Sequence, residues 1–143
     1  MQPLKRADLQ VNTDLNDLTQ VLSWFDQFNC PPISYQVWLQ CQLALAEGFT
    51  NAVRHAHFGK PCGVPIELQV VMFPEWLEIR IWDRGGPFDL IEKLKSLPKE
   101  LDSTAEGGRG LRLMERIADL LSYTRSEDAR NCLLIIKHYP REN

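Results

Sequence analysis

The chain has 143 residues, 44% hydrophobic and 24% charged, with 16 Lys and Arg against 19 Asp and Glu. This composition predicts one globular domain over residues 1–143 and excludes a disordered tail, and the acidic balance argues against a dedicated DNA-binding protein. No stretch reaches the roughly 18 apolar residues of a membrane span, and the first residues do not form a signal peptide, so we expect a cytoplasmic protein.

The first half of the chain predicts a strand followed by two helices. Asp14 or Asn16 can cap the first helix, which we expect to end near Phe28, before two prolines. Ser34 is the predicted N-cap of a longer helix that reaches about His57, with small and apolar residues recurring along one side.

The second half predicts strands on either side of a long polar segment. Alternating residues at 66–73 and 77–82 predict an antiparallel hairpin. Residues 87–107 are polar and irregular, with a short helix candidate near 90–97, and such long loops often bind ligands. An amphipathic helix is predicted over 111–121, followed by strands near 121–124 and 132–138. This order predicts an α/β (α+β) two-layer sandwich, with helices on one face of a mostly antiparallel mixed sheet.

The second helix carries polar residues at a spacing of four. Glu47, Asn51 and His55 form one slanted stripe at the border of the apolar side, because each step of four turns only about 40° around the helix axis. A carboxylate and an amide placed there can share a metal-bound ligand. The alternative is a solvated helix edge with an ordinary hydrogen-bonded histidine.

Two glycine-rich segments follow. Asp83 ends a strand before Gly85 and Gly86, so its carboxylate can accept from an amine while the backbone turns sharply; an ordinary turn is the alternative. The run from Gly107 to Leu111 directly precedes a helix, where backbone N–H groups and Arg109 can bind an anion. A flexible hinge is the alternative there, and neither the Walker nor the Rossmann pattern matches.

In this order, the stripe, the strand-end Asp-x-Gly and the glycine-rich helix start resemble the GHKL (Bergerat) ATP-binding fold. Within it, the chain is most similar to the anti-sigma factor serine/threonine kinases of the RsbW type. The larger relatives need further domains or a phosphoacceptor helix pair, so 143 residues favour this stand-alone branch. The family's usual Asp-x-Gly-x-Gly is altered, because Pro87 occupies the second glycine position.

The resemblance implies a role for each motif residue. Glu47 would be the general base, Asn51 would hold Mg²⁺, and His55 would line the phosphate side. Asp83 would accept from the adenine amine, with Gly85 behind it. The second glycine box, which would wrap the phosphates of ATP, comprises Gly108, Arg109, Gly110 and Leu111.

The function implied is an ATP-dependent protein serine/threonine kinase. Its substrate would be a STAS-type anti-sigma antagonist, and the chain would also bind a sigma factor, thereby regulating transcription without touching nucleic acid or a membrane. One alternative is a non-catalytic, nucleotide-dependent partner-binding module, and another is a structural or interaction domain that binds no nucleotide. Trp76 and Trp82 share a strand face with Glu78 and Arg80, and this face is a candidate homodimer surface because the family often dimerises through its sheet.

Overall fold

A five-stranded sheet forms one layer of the protein. The computed structural model describes residues 2–97 and 109–140. The strands are β1 (Lys5–Val11), β2 (Ile66–Met72), β3 (Trp76–Asp83), β4 (Leu120–Arg125) and β5 (Asn131–His138). They lie in the order β1-β2-β3-β5-β4, and each neighbouring pair is antiparallel. The predicted hairpin of β2 and β3 is therefore confirmed.

The helices form the second layer. They are α1 (Leu18–Phe25), α2 (Tyr35–Asn51), α3 (Leu90–Ser96) and α4 (Arg109–Ile117). Ser34 caps α2 as predicted, because its hydroxyl accepts from the N–H of Val37 at 3.2 Å. A π-helical turn, Ala52–Ala56, continues α2 to the predicted end near His57. None of the described helices is both long and apolar enough to cross a membrane.

The core lies between the helices and one face of the sheet. Leu77, Ile79 and Ile81 of β3 are at most 1% exposed, whereas the residues between them are only half-buried. Helix α2 approaches this face closely, since a methyl group at Gly48 would lie 2.6 Å from Ile81 Cδ1. The predicted two-layer α/β class, with helices on one face, is confirmed. The sheet was expected to be mostly antiparallel and mixed, and its described strands pair only in antiparallel fashion.

One predicted boundary is wrong. The amphipathic helix was expected to reach Leu121, but α4 ends at Ile117 and Leu121 lies in β4. The N–H of Asp119 already donates to the carbonyl of Ile136 at 2.8 Å. Strand pairing with β5 thus begins two residues after α4 ends, although the apolar spacing alone would favour a longer helix.

Candidate functional site

A cavity of about 510 Å³ opens between the C-terminal half of α2, the ends of β3 and β5, and helices α3 and α4. This volume is within the range of small-molecule sites. Four of the residues predicted from sequence line it, namely Asn51, His55, Asp83 and Leu111. The structure therefore brings three separate motifs to one cavity.

Glu47 lies beside the cavity, against the start of α4. A methyl group at Gly110 would lie 2.5 Å from Glu47 Oε2, so the carboxylate of Glu47 lies directly against the backbone of Gly110. Arg109 is exposed at the first residue of α4. The structure thus joins Glu47 to the second glycine box through Gly110, while Gly108 lies outside the described residues.

Asp83 is held by three donors at the end of β3. Its Oδ1 accepts from the backbone N–H of Gly85 and from Asn131 Nδ2, both at 2.9 Å. Its Oδ2 accepts from the Tyr123 hydroxyl at 2.5 Å. The residue is only 3% exposed, and these charge-assisted bonds offset the cost of burying a carboxylate.

Tyr123 reaches Asp83 from β4 across β5, and its ring makes an edge-on contact with Phe88 at 5.8 Å between centroids. Burial raises the pKa of the Tyr123 phenol well above its ordinary value of 10.0, and the hydrogen bond to Asp83 raises it further. The hydroxyl therefore keeps its proton and acts as a donor towards the carboxylate.

Gly85 packs directly on the end of α2. A methyl group there would lie 2.6 Å from the carbonyl oxygen of Ala56, in the π-helical turn. The Gly85 carbonyl accepts from Asn131 Nδ2 and from Arg125, each at 3.1 Å. Gly85 does not itself line the cavity; Gly86 and Pro87 do.

His57 also connects the end of α2 to the segment that follows β3. The backbone N–H of Arg84 donates to His57 Nε2 at 2.7 Å, and Nδ1 lies 2.7 Å from the hydroxyl of Thr13. That hydroxyl donates to the carbonyl of Val64 at 2.5 Å, so the proton on the ring belongs to Nδ1. Burial lowers the pKa of His57, which keeps the ring neutral and its Nε2 an acceptor.

Several residues at the site were missed from the sequence. Tyr123 and Lys93 line the cavity, Asn131 binds Asp83, and His57 was treated only as a helix end. Asn131 lies opposite Asp83 in the β3–β5 register, so a predicted pairing of these strands would have found it. Nothing in the local sequence marks Tyr123.

The described side chains at the site offer few ligands for a metal ion. The described part of the chain contains no group of three or more His, Cys, Asp or Glu side chains placed to hold a metal ion. Asn51 is a half-buried amide on the cavity wall. Mg²⁺ commonly takes one or two protein ligands and completes its shell with water and substrate phosphates, and a single amide is compatible with that mode.

The fold and the cavity define an ATPase-like domain. Residues 11–137 match the histidine kinase-like ATPase domain, and the chain belongs to this family.

The curated relatives are bacterial kinases. The chain is 39% identical over 85 residues to the serine-protein kinase RsbW of Bacillus pumilus, which covers 54% of this chain and 52% of that protein. It is 34% identical over 91 residues to serine-protein kinase RsbW of Listeria monocytogenes, covering 60% of this chain and 57% of that one. The matches thus span little more than half the length of these relatives.

A solved structure shows the same fold. The structure of the SiaB-SiaC complex from Pseudomonas aeruginosa aligns with a TM-score of 0.66 and 11% identity. The alignment covers 96% of this chain and 91% of that chain.

Proposed function

We propose that the chain is an ATP-dependent protein serine/threonine kinase that phosphorylates a STAS-type anti-sigma antagonist and acts as an anti-sigma factor. The observation that carries this proposal is that a buried carboxylate, Asp83, lines the same cavity as Asn51 and His55 of the polar stripe. The names of the RsbW relatives support protein-serine kinase activity.

Asp83 is proposed to accept from the exocyclic amine of adenine. It is a cavity residue, and Oδ2 has accepted only one of the two hydrogen bonds that a carboxylate oxygen can take. Gly85 keeps this end of the cavity close to α2, since any side chain would meet the Ala56 carbonyl. The adenine end is thus set by backbone packing as well as by one acceptor.

The phosphate end is assigned to the other motifs. Asn51 would hold Mg²⁺, and His55 would line the phosphates beside it. The start of α4, with Arg109, Gly110 and Leu111, would supply backbone N–H groups and the positive end of a helix to the anion, and Gly108, the preceding residue in the sequence, is proposed to belong to the same phosphate-binding segment. A bound Mg²⁺ would neutralise charge on the transferring phosphoryl group.

Glu47 is the proposed general base. It lies one helical turn before Asn51, a residue of the cavity wall, and its carboxylate lies against Gly110 at the start of α4. In that position it would take the proton from a substrate serine or threonine hydroxyl during transfer.

The proposed partners are proteins. A STAS-type antagonist would be the substrate, a sigma factor would be the second partner, and the site of action would be the cytoplasm. The sheet face opposite the helices is the proposed homodimer surface, on which Arg130 lies over the ring of Trp82 at 5.6 Å. The alternative, a nucleotide-dependent binding module without phosphate transfer, uses the same cavity.

Transfer of labelled phosphate from ATP to purified STAS proteins tests the proposal. The wild-type chain should label a serine or threonine on its partner, and Glu47→Ala should abolish labelling while ATP still binds. Glu127→Ala, at an exposed turn position, is the matched control and should label normally. Labelling that survives Glu47→Ala contradicts the base assignment; a wild-type chain that binds ATP but labels no partner supports the binding module.

A further inference from the structure

The carboxylate of Asp83 has little acceptor capacity left for a ligand. Two donors occupy Oδ1, the backbone N–H of Gly85 and the amide of Asn131. The Tyr123 hydroxyl occupies one position on Oδ2. An ionised carboxylate offers about four acceptor positions, so one remains, on Oδ2.

The Tyr123 oxygen lies beside that remaining position. It is 2.5 Å from Asp83 Oδ2, and both residues line the cavity. Because its proton is donated to Asp83, the oxygen can only accept from a ligand, and the Asn131 amide is a second group that interacts with it. This end of the cavity therefore offers two adjacent acceptors and no side-chain donor from this pair.

We infer that Tyr123 is a specificity-determining residue that makes the site select purine nucleotides with an amine at position 6 over those with an oxygen there. The inference rests on the proposed function, in which Asp83 faces the base. An amine nitrogen can lie within hydrogen-bond distance of both oxygens. A keto oxygen in the same place meets two acceptors and is repelled by both.

The hydroxyl is not free to reverse its role for a keto base. If the Tyr123 hydroxyl turned its proton towards the ligand, Asp83 Oδ2 would lose that hydrogen bond. This loss is costly because Asp83 is only 3% exposed. The neighbouring Phe88 packs edge-on against the ring, with an interplanar angle of 81°, and so restricts the position of the phenol. The donor role of Tyr123 is thus favoured by the burial of the carboxylate that accepts from it.

The test compares the binding of three nucleotides to the 143-residue chain by equilibrium titration in the presence of Mg²⁺. ATP carries the 6-amine, inosine triphosphate carries a 6-oxygen, and purine riboside triphosphate carries only hydrogen at position 6. Tyr123→Phe removes one oxygen and keeps the ring. Tyr35→Phe makes the same change at a residue that is 58% exposed on the first turn of α2, and serves as the control.

The wild-type chain should bind ATP most tightly, purine riboside triphosphate less tightly and inosine triphosphate least. Tyr123→Phe should lower the ATP-to-inosine-triphosphate affinity ratio by about tenfold, the effect of losing one hydrogen bond and one repulsive contact at a buried site. Tyr35→Phe should leave the ratio unchanged.

A purely structural role for Tyr123 predicts something different. Tyr123→Phe would then reduce the affinity for all three nucleotides by the same factor. That result would overturn the inference, whereas the proposed ATP binding by the wild-type chain would still stand. If the wild-type chain itself bound no ATP, the proposed function would fail, and the inference with it. Thermal unfolding of each variant confirms that the comparison is made on folded protein.

Discussion

Replacing Gly85 by alanine tests the packing that holds the base end of the cavity. The new methyl group would lie 2.6 Å from the Ala56 carbonyl oxygen and 3.1 Å from the Ala56 Cα, whereas ordinary contacts begin at 3.4 Å. Both obstacles are backbone atoms of the π-helical turn, which cannot rotate away as a side chain could. The loop and the end of α2 must therefore separate by about 0.8 Å.

A separation of this size acts on the hydrogen bonds of the same residue. The Gly85 N–H donates to Asp83 at 2.9 Å, and the Gly85 carbonyl accepts from Asn131 at 3.1 Å. Overpacking costs about 1–3 kcal/mol, and a buried carboxylate that loses a donor costs about 1–3 kcal/mol more. We expect Gly85→Ala to lower the free energy of unfolding by about 2–6 kcal/mol.

Urea unfolding and ATP titration measure the two consequences separately. Affinity for ATP should fall at least about tenfold, because displacing the loop needs to reduce the binding free energy by only about 1.4 kcal/mol to have that effect. Gly63→Ala is the control, because a methyl group there meets nothing within 4 Å. If Gly85→Ala matched Gly63→Ala in stability and wild type in ATP affinity, the argument from packing would be refuted.

Three further predictions concern other parts of the molecule. Burial lowers the pKa of His57 below 6.5; Lys60 and Arg84 lower it further, whereas Asp83 opposes the shift. As pH falls, the unfolded chain therefore binds the proton before the folded protein does. The free energy of unfolding should thus decrease as pH falls through 6.5 towards the pKa of His57 in the folded protein. Urea unfolding at several pH values checks this, and His57→Gln with an undiminished pH dependence would contradict it. Burial raises the pKa of the Cys41 thiol to about 12, so iodoacetamide should modify the exposed Cys62 and spare Cys41 in folded protein, as mass spectrometry would show; equal modification rates would refute this. Arg112 donates to carbonyls at the end of α3 at 2.6 and 3.0 Å, so Arg112→Gln should speed amide exchange in α3, and unchanged protection would count against that anchor.

The local patterns predicted which segments meet but not all of the contacts between them. The spacing of Glu47, Asn51 and His55 placed them on one helix, and the structure has them on α2 and its π-helical turn. Asp83 was predicted at the end of a strand because the alternation of apolar and polar residues stops there, and it is the last residue of β3. These predictions depend on short-range periodicity, which a sequence carries directly.

The donors to Asp83 depend on long-range register instead. Tyr123 pairs with Leu133, and Asn131 pairs with Asp83, so both face the site only because β5 lies between β3 and β4. A shift of one residue would turn Tyr123 to the opposite face of the sheet. The contact of Glu47 with Gly110 likewise depends on how α4 packs on α2, which no local pattern specifies.

The central claim is that the cavity beside Asp83 binds ATP. Calorimetric titration of Mg²⁺ and ATP into the wild-type chain and into Asp83→Asn tests it most directly. The wild-type chain should bind one equivalent, and Asp83→Asn should bind at least about tenfold more weakly, because an amide replaces the acceptor with a donor on one side. Equal affinity of the two proteins, or no binding by the wild-type chain, would contradict the account.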